Sequence, residues 1–345
     1  MTRDSSGTAP VFAELEPATV LDALDSVGLR GDGRLLQLNS YENRVYQVHL
    51  EDGDVVVAKF YRPARWSDAQ ILEEHAFALE LAGDDVPAVA PRTLAADSTE
   101  ARLLGTPPTL AHVGRPGAAH RVSVSDRHAG HGPELENAEV LTWLGRFLGR
   151  LHAVGQRRPF EHRRSIGPDW GRVARTRLAA GHHIPEAEQG PWLARCDEAL
   201  DLVTQAFDAG RGLRRLRLHG DFHPGNVMWR DEGPHVVDLD DACNGPAIQD
   251  LWMLLSGDEA AMRAQLQHVL AGYRVFMPFD ERELALVEPL RTLRMICHSA
   301  WIAERWSDPA FPIAFPWFAS AGYWSQQATQ LREQVQAMRE GALLS

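Results

Sequence analysis

The residues with the clearest chemical potential lie in His219-Gly220-Asp221-Phe222-His223-Pro224-Gly225-Asn226 and, after a short gap, in Val237-Asp238-Leu239-Asp240-Asp241. An acidic residue is followed five positions on by an amide, and about a dozen further by a second acid. Phosphoryl transfer asks for such a set: a carboxylate to accept a hydroxyl proton, then an amide oxygen and a carboxylate to hold Mg2+. Taken singly, Asp221 in a Gly/Pro-rich loop reads as a turn or cap residue. Asn226 after Gly225 reads as a left-handed turn residue, and Asp238 as a strand-end cap. Their order between two apolar runs reverses that reading. Asp221 becomes the proton acceptor, Asn226 and Asp238 the Mg2+ ligands, and the chain reads as a kinase. The transition state is loose, so positioning matters more than basicity and an ordinary carboxylate suffices.

A nucleotide also needs a cation. Lys59 ends the β-branched run Val55-Val56-Val57-Ala58, where its ammonium would reach the α- and β-phosphates of ATP across a lobe cleft. Its carboxylate partner is expected on the next helix, at Glu73 or Glu74, with Glu74 preferred. No glycine-rich phosphate loop precedes Lys59. Asn39-Ser40-Tyr41-Glu42-Asn43-Arg44 stands there instead, and its Ser40 hydroxyl and backbone amides would cover phosphates. His219 is expected to fix the loop by hydrogen bonds and His223 to face the transferred phosphate; no Cys/His set completes a zinc site around them. Asp250 suits two roles, acceptor for catalytic-loop amides or plain helix-start charge. Asp240 and Asp241 read as salt-bridge partners.

These residues need a scaffold, and 345 residues supply one large domain or two lobes. Apolar residues at 44% and charged ones at 24% are ordinary for a globular protein, and a formal charge of −12 argues against nucleic acid as partner. Three scattered cysteines, Cys196, Cys243 and Cys297, suggest a reducing compartment rather than a disulfide framework. Residues 2–6 lack the apolar core of a secretory signal. The uncharged stretch 309–331 contains Pro309, Pro312, Pro316 and Gly322, which makes a poor spanning helix. A cytoplasmic protein, not membrane-bound and monomeric, is expected.

Periodicity gives a helix up to about residue 30, then strands at 35–38, 45–50 and 55–60, with a hairpin turn at Asp52-Gly53. A helix is predicted over 70–81 and a short strand at 120–124. Beyond a Gly- and His-rich linker the pattern turns helical: 140–151, 191–207, 248–255, 260–276 and 281–305, interrupted by a loop-and-strand insert at 216–239. The architecture implied is α+β and two-lobed: residues 1–125 as a small β-sheet lobe with the nucleotide lysine, and 126–345 as a mainly helical lobe with the catalytic and metal loops.

The HGDFHPGN and VDLDD segments resemble those of the aminoglycoside-phosphotransferase and choline-kinase-like kinases, which implies the protein-kinase fold and the same roles for Asp221, Asn226, Asp238 and Lys59. The His-Arg-Asp and Asp-Phe-Gly of typical protein kinases are replaced here, and His223 stands where their catalytic-loop lysine would be. Within that group, Leu38-Asn39-Ser40-Tyr41-Glu42-Asn43-Arg44-Val45-Tyr46, Lys59-Phe60-Tyr61-Arg62-Pro63, Ile71-Leu72-Glu73-Glu74-His75, Asn244-Gly245-Pro246-Ala247-Ile248-Gln249-Asp250-Leu251-Trp252 and Asp308-Pro309-Ala310-Phe311-Pro312 are similar to the bacterial stress response kinase A family. That resemblance implies a cytoplasmic, ATP- and Mg-dependent serine/threonine protein kinase acting in stress protection, with Ser40 at the ATP. The region 111–132 departs most from the family, so adenine contacts are not assigned there. The alternative is a kinase of the same fold for an amino alcohol, homoserine-like or aminoglycoside-like hydroxyl, and Trp301, Glu304, Trp306, Asp308 and Trp317 would suit a cationic acceptor. A catalytically silent binding module is a third class, disfavoured because Asp221, Asn226, Asp238 and Lys59 are all present.

Overall fold

Burial alternates along Val45-Tyr46-Gln47-Val48 and Val55-Val56-Val57-Ala58, so one face of each strand points inward, and pairing buries Val48, Val56 and Ala58 completely. The computed structural model describes Phe12, 15–114, 119–230 and 233–341. Contacts divide the chain into two units, one of Met1–Leu79, Val89–His128 and Ser307–Ala310, the other of Glu80–Ala88, Ala129–Trp306 and Phe311–Ser345.

The first unit contains α1 (Pro17–Ser26), β1 (Gly31–Leu38), β2 (Arg44–Leu50), β3 (Val55–Phe60), α2 (Asp68–Gly83) up to Leu79, β4 (Ala101–Leu104), β5 (Leu110–Val113) and β6 (His120–Asp126). The strands form one antiparallel sheet in the order β1-β2-β3-β6-β5-β4. Val20 and Leu24 of α1 share one buried core with Val48, Val56, Phe60 and Val122 of the sheet. The six strands exceed the four that periodicity marks. β4 and β5 are four residues each, too short to show an alternation.

The second unit is mainly helical: α3 (Ala138–Gly155), α4 (Pro168–Ala180), α5 (Glu186–Ala209), α6 (Ile248–Trp252), α7 (Glu259–Tyr273), α8 (Val287–Glu304), α9 (Ala310–Ala314) and α10 (Ala321–Glu340). Four short strands interrupt it: β7 (Leu216–Leu218), β8 (Val227–Arg230), β9 (Gly233–Val236) and β10 (Cys243–Gly245), paired as β10-β7 and β8-β9. The predicted helix 281–305 divides. Residues Glu281–Leu286 wind as a 3-10 turn and α8 starts at Val287, which puts Pro289 in its first turn, where a missing N–H leaves no helical bond unmade. The uncharged stretch 309–331 is likewise split between α9 and α10. Among the described residues no helix is long and apolar enough to cross a membrane.

Candidate active site

β7 leads into the candidate loop His219-to-Asn226. Leu216, Arg217 and Leu218 are all buried, and the chain then turns at Gly220, whose φ is +85°. A Cβ there would lie 2.2 Å from the Asp241 carbonyl oxygen, so only glycine fits. The loop then alternates. Buried Phe222 stacks on Phe147 with 5.7 Å between ring centroids, and buried His219 meets Phe222 edge-on. Asp221 and His223 remain partly exposed. The inward residues anchor and the outward ones are presented.

His219 joins the two motifs. Its Nδ1 accepts the Asp221 N–H at 3.3 Å, which leaves the proton on Nε2, and Nε2 donates to the Val237 carbonyl at 3.0 Å. Asn226 makes the second link, because its own carbonyl accepts the Val237 N–H at 3.0 Å. Val227 pairs with Val236 across the β8-β9 hairpin, so Asn226 and Asp238 flank the open end of one ladder. Asn226 Nδ2 donates to the Asp221 carbonyl at 3.0 Å, which leaves Oδ1 as the side-chain oxygen that could serve a metal. Asp238 sits at φ 63°, ψ 62°, a left-handed conformation that aspartate tolerates better than most residues, and it is exposed.

The structure thus brings Asp221, Asn226 and Asp238 onto neighbouring loops of one unit. Asn226 and Asp238 offer one neutral and one anionic oxygen, hard donors that suit Mg2+, an ion that takes its remaining ligands from water and phosphate. No group of three or more His, Cys, Asp or Glu able to hold a metal occurs among the described residues. Asp241 bonds Arg164 at 3.0 Å, and the Asp240 carbonyl accepts from buried Arg163 at 2.6 Å, so the turn after Asp238 is held by arginines.

Asp250 takes the first of its two expected roles. Its carboxylate accepts the N–H groups of His219 and Gly220, each at 2.9 Å. Gln249 Nε2 adds a bond to the Gly220 carbonyl at 2.9 Å. Burial alone would raise the Asp221 carboxyl, but His223 and Arg294 outweigh it and hold the group well below the usual carboxylate range. His223 Nδ1 accepts the Gly225 N–H, and its Nε2 lies 3.5 Å from Asp221 Oδ2. Arg294 of α8 donates to Asp221 Oδ1.

Ser40, Lys59 and Glu74 lie in the first unit. Ser40 Oγ accepts the Asn43 N–H at 3.3 Å, which closes the Asn39-to-Arg44 turn. Arg62 fastens that turn by donating to the Tyr41 and Glu42 carbonyls at 3.1 and 2.9 Å, and its own N–H goes to Asn43 Oδ1. Asp308 in turn holds the guanidinium at 2.8 Å. Lys59, near the end of β3, lies with Nζ 5.2 Å from the centroid of Tyr61. The Tyr61 hydroxyl is fixed by His75 at 2.8 Å and Ser123 at 3.0 Å. Glu74 is buried at 6% exposure while Glu73 is half-buried.

Residues 34–287 match the phosphotransferase enzyme family. The stress response kinase A of Salmonella choleraesuis (strain SC-B67) is 43% identical over 96% of both chains, and that of Escherichia coli (strain K12) is 42% identical over 98% of both. The chain belongs to the stress response kinase A family. Another member, 43% identical over 96% of both chains, is the "Serine/threonine protein kinase RdoA" of Salmonella typhimurium. Among solved structures, a microcompartment-associated aminopropanol kinase aligns with TM-score 0.68 and 18% identity over 94% of this chain and 98% of its own. The amicoumacin kinase hAmiN aligns with TM-score 0.66 and 18% identity over 90% of each. The α+β, protein-kinase-like class expected from the motifs is therefore the fold of this family member. The family supports phosphotransferase activity.

Motif reading passes over His152, Arg163, Gln249, Glu283 and Arg294, all of which touch the loops or their supports. His152 has one visible signal, a histidine on the otherwise apolar face of α3.

Proposed function

We propose that this phosphotransferase moves the γ-phosphoryl group of ATP, bound with Mg2+, to serine or threonine hydroxyls of proteins, in a stress response. Asp221 accepts the hydroxyl proton and orients the acceptor oxygen. Asn226 Oδ1 and the Asp238 carboxylate hold Mg2+, which when bound neutralises phosphate charge. Lys59 anchors the nucleotide phosphates with Glu74 as its partner, and Ser40 with the turn around it covers them. The observation that carries the reading is the Asp221 carboxylate, presented between His223 and Arg294 on a loop held by Asp250, Gln249 and Phe147.

A protein acceptor is favoured by the name of the Salmonella typhimurium relative. It is also favoured by the state of the acidic residues that a cationic small acceptor would use. Glu304 is bonded to Arg177 and Arg305, and Asp308 to Arg62, so guanidinium groups already match those carboxylates.

The test is transfer from γ-labelled ATP with the purified protein alone, with casein, and with a panel of amino alcohols. Label on serine or threonine of protein supports the reading. Label confined to a small alcohol overturns it in favour of a metabolite kinase.

A further inference from the structure

α8 presents a polar stripe toward the catalytic loop. Arg294 and His298, one turn apart, are exposed, while Leu293, Ile296 and Ala300 on the other side are buried. His298 stacks on Trp301 at 5.6 Å, and desolvation together with the Arg294 charge lowers its pKa, so it is the neutral member of the stripe at pH 7. Arg294 reaches Asp221 Oδ1 and lies 3.9 Å from Met253 Sδ. The loop His219-to-Asn226 itself contains no Lys or Arg.

This arrangement poses a geometric problem for the acceptor. A hydroxyl that gives its proton to Asp221 must donate to one of the carboxylate oxygens. Oδ2 faces His223 and Oδ1 is occupied by Arg294. At a near-attack separation of roughly 3–3.5 Å the phosphorus lies beside that same hydroxyl oxygen. A guanidinium displaced from Oδ1 therefore finds phosphoryl oxygens within its own span, and its planar fork of donors suits them.

Resting on the kinase reading above, we propose that Arg294 is a catalytic residue of the transfer: it cedes Asp221 to the acceptor hydroxyl and neutralises the phosphoryl group in flight. The bond from the γ-phosphorus to the acceptor oxygen forms and the bond to the β,γ-bridging oxygen breaks. ADP departs with that electron pair, and the hydroxyl proton goes to Asp221. Arg294 neither gains nor loses a proton. Arg294 is exposed, so water takes over part of its hydration when it leaves the carboxylate.

The experiment compares wild type, Arg294→Ala, Arg294→Lys and Asp221→Asn, measuring ADP release with casein or, where casein is not accepted, with water as acceptor. Arg294→Ala is expected to lower kcat on the order of a hundredfold, as removal of one charge-stabilising donor does. KM for ATP and thermal unfolding should stay near wild type. Added guanidinium chloride at millimolar concentration should restore part of the Arg294→Ala rate, and Arg294→Lys should fall between. Arg294→Ala turning over at the wild-type rate or faster, or losing rate with no rescue and a lowered Tm, overturns the assignment while an Asp221-dependent wild type keeps the kinase reading intact. A wild type without turnover defeats both.

Discussion

Asp250 and His152 form a completely buried pair, with imidazole Nε2 3.1 Å from carboxylate Oδ2 and neither side chain exposed. His152 Nδ1 continues to the Tyr273 hydroxyl at 3.0 Å, while the same carboxylate carries the His219 and Gly220 amides. The loop His219-to-Asn226 thus hangs in large part from one carboxylate buried away from solvent. Asp250→Ala should leave two amides and an imidazole without their acceptor, and losing one partner of such a buried set costs about 3–5 kcal/mol. Urea denaturation should show that loss. Asp250→Asn, which keeps one oxygen, should lose less, and stability equal to wild type for both variants would show the loop has another support.

Asp221→Asn addresses the chemistry instead. It keeps the shape and loses the proton acceptor, so turnover should fall by about 10²–10⁴-fold with ATP·Mg affinity nearly unchanged. Because His223 and Arg294 hold the wild-type carboxyl far below the usual carboxylate range, it stays ionised throughout the neutral region. Its own titration in the free enzyme therefore gives no acid limb to kcat/KM between about pH 5 and 8. A kcat/KM profile that rises across that interval and flattens in Asp221→Asn would contradict the assignment.

Asp238→Ala and Asn226→Ala should separate by charge. Removing the anionic oxygen of Asp238 should abolish Mg-dependent nucleotide binding, whereas removing the neutral oxygen of Asn226 should weaken it and raise the Mg2+ requirement. Asn226→Ala also frees the Asp221 carbonyl from its 3.0 Å donor, so part of its defect should survive saturating Mg2+. Titration calorimetry with a non-hydrolysable ATP analogue at several Mg2+ concentrations reads all three effects. Equal Mg2+ dependence of both variants and wild type would remove these residues from the metal site.

The grouping of Asp221, Asn226 and Asp238 was legible because it is local: they fall within one short insert, and Lys59 stands out at the end of a β-branched run. What supports them was not, since the supports come from far along the chain. His152 and Asp250 stand 98 residues apart, Arg294 and Asp221 73, and Arg62 and Asp308 246. No window of sequence shows such pairs. The two roles open to Asp250 illustrate the limit, because both follow from an acid at a helix start and only the fold puts two loop amides in front of it. α4 escaped for a different reason: Gly171 and three arginines dilute its apolar period, although Gly171, Ala174 and Leu178 are buried. The family-like segments 38–46 and 308–312 gain a physical meaning that the letters lack, in the hydrogen bonds and ion pair through which Arg62 ties them together.

Glu283 provides a stability test with a defined sign. Its carboxylate is 3% exposed and accepts the Ile248 N–H at 2.9 Å, so it holds the start of α6, the helix that carries Asp250. Burial pushes its pKa up to about 7, chiefly against the lowering effect of the Ile248 and Ala247 amides. The folded state therefore binds this proton more tightly than the unfolded chain, in which a glutamate titrates near 4.3. Its contribution is complete below the unfolded value and declines as pH rises through about 7, a total on the order of 3 kcal/mol. Carboxylates such as Asp308, held below their ordinary pKa once Arg62 and the Ala310 amide overcome burial, act in the opposite direction in acid. The comparison must therefore be made against Glu283→Gln, which keeps an oxygen for Ile248 and cannot ionise. Between pH 4.5 and 7.5 the stability of wild type relative to Glu283→Gln should fall by roughly that amount and then level off. A difference that stays constant across the interval would show that Glu283 is ionised in the folded protein throughout.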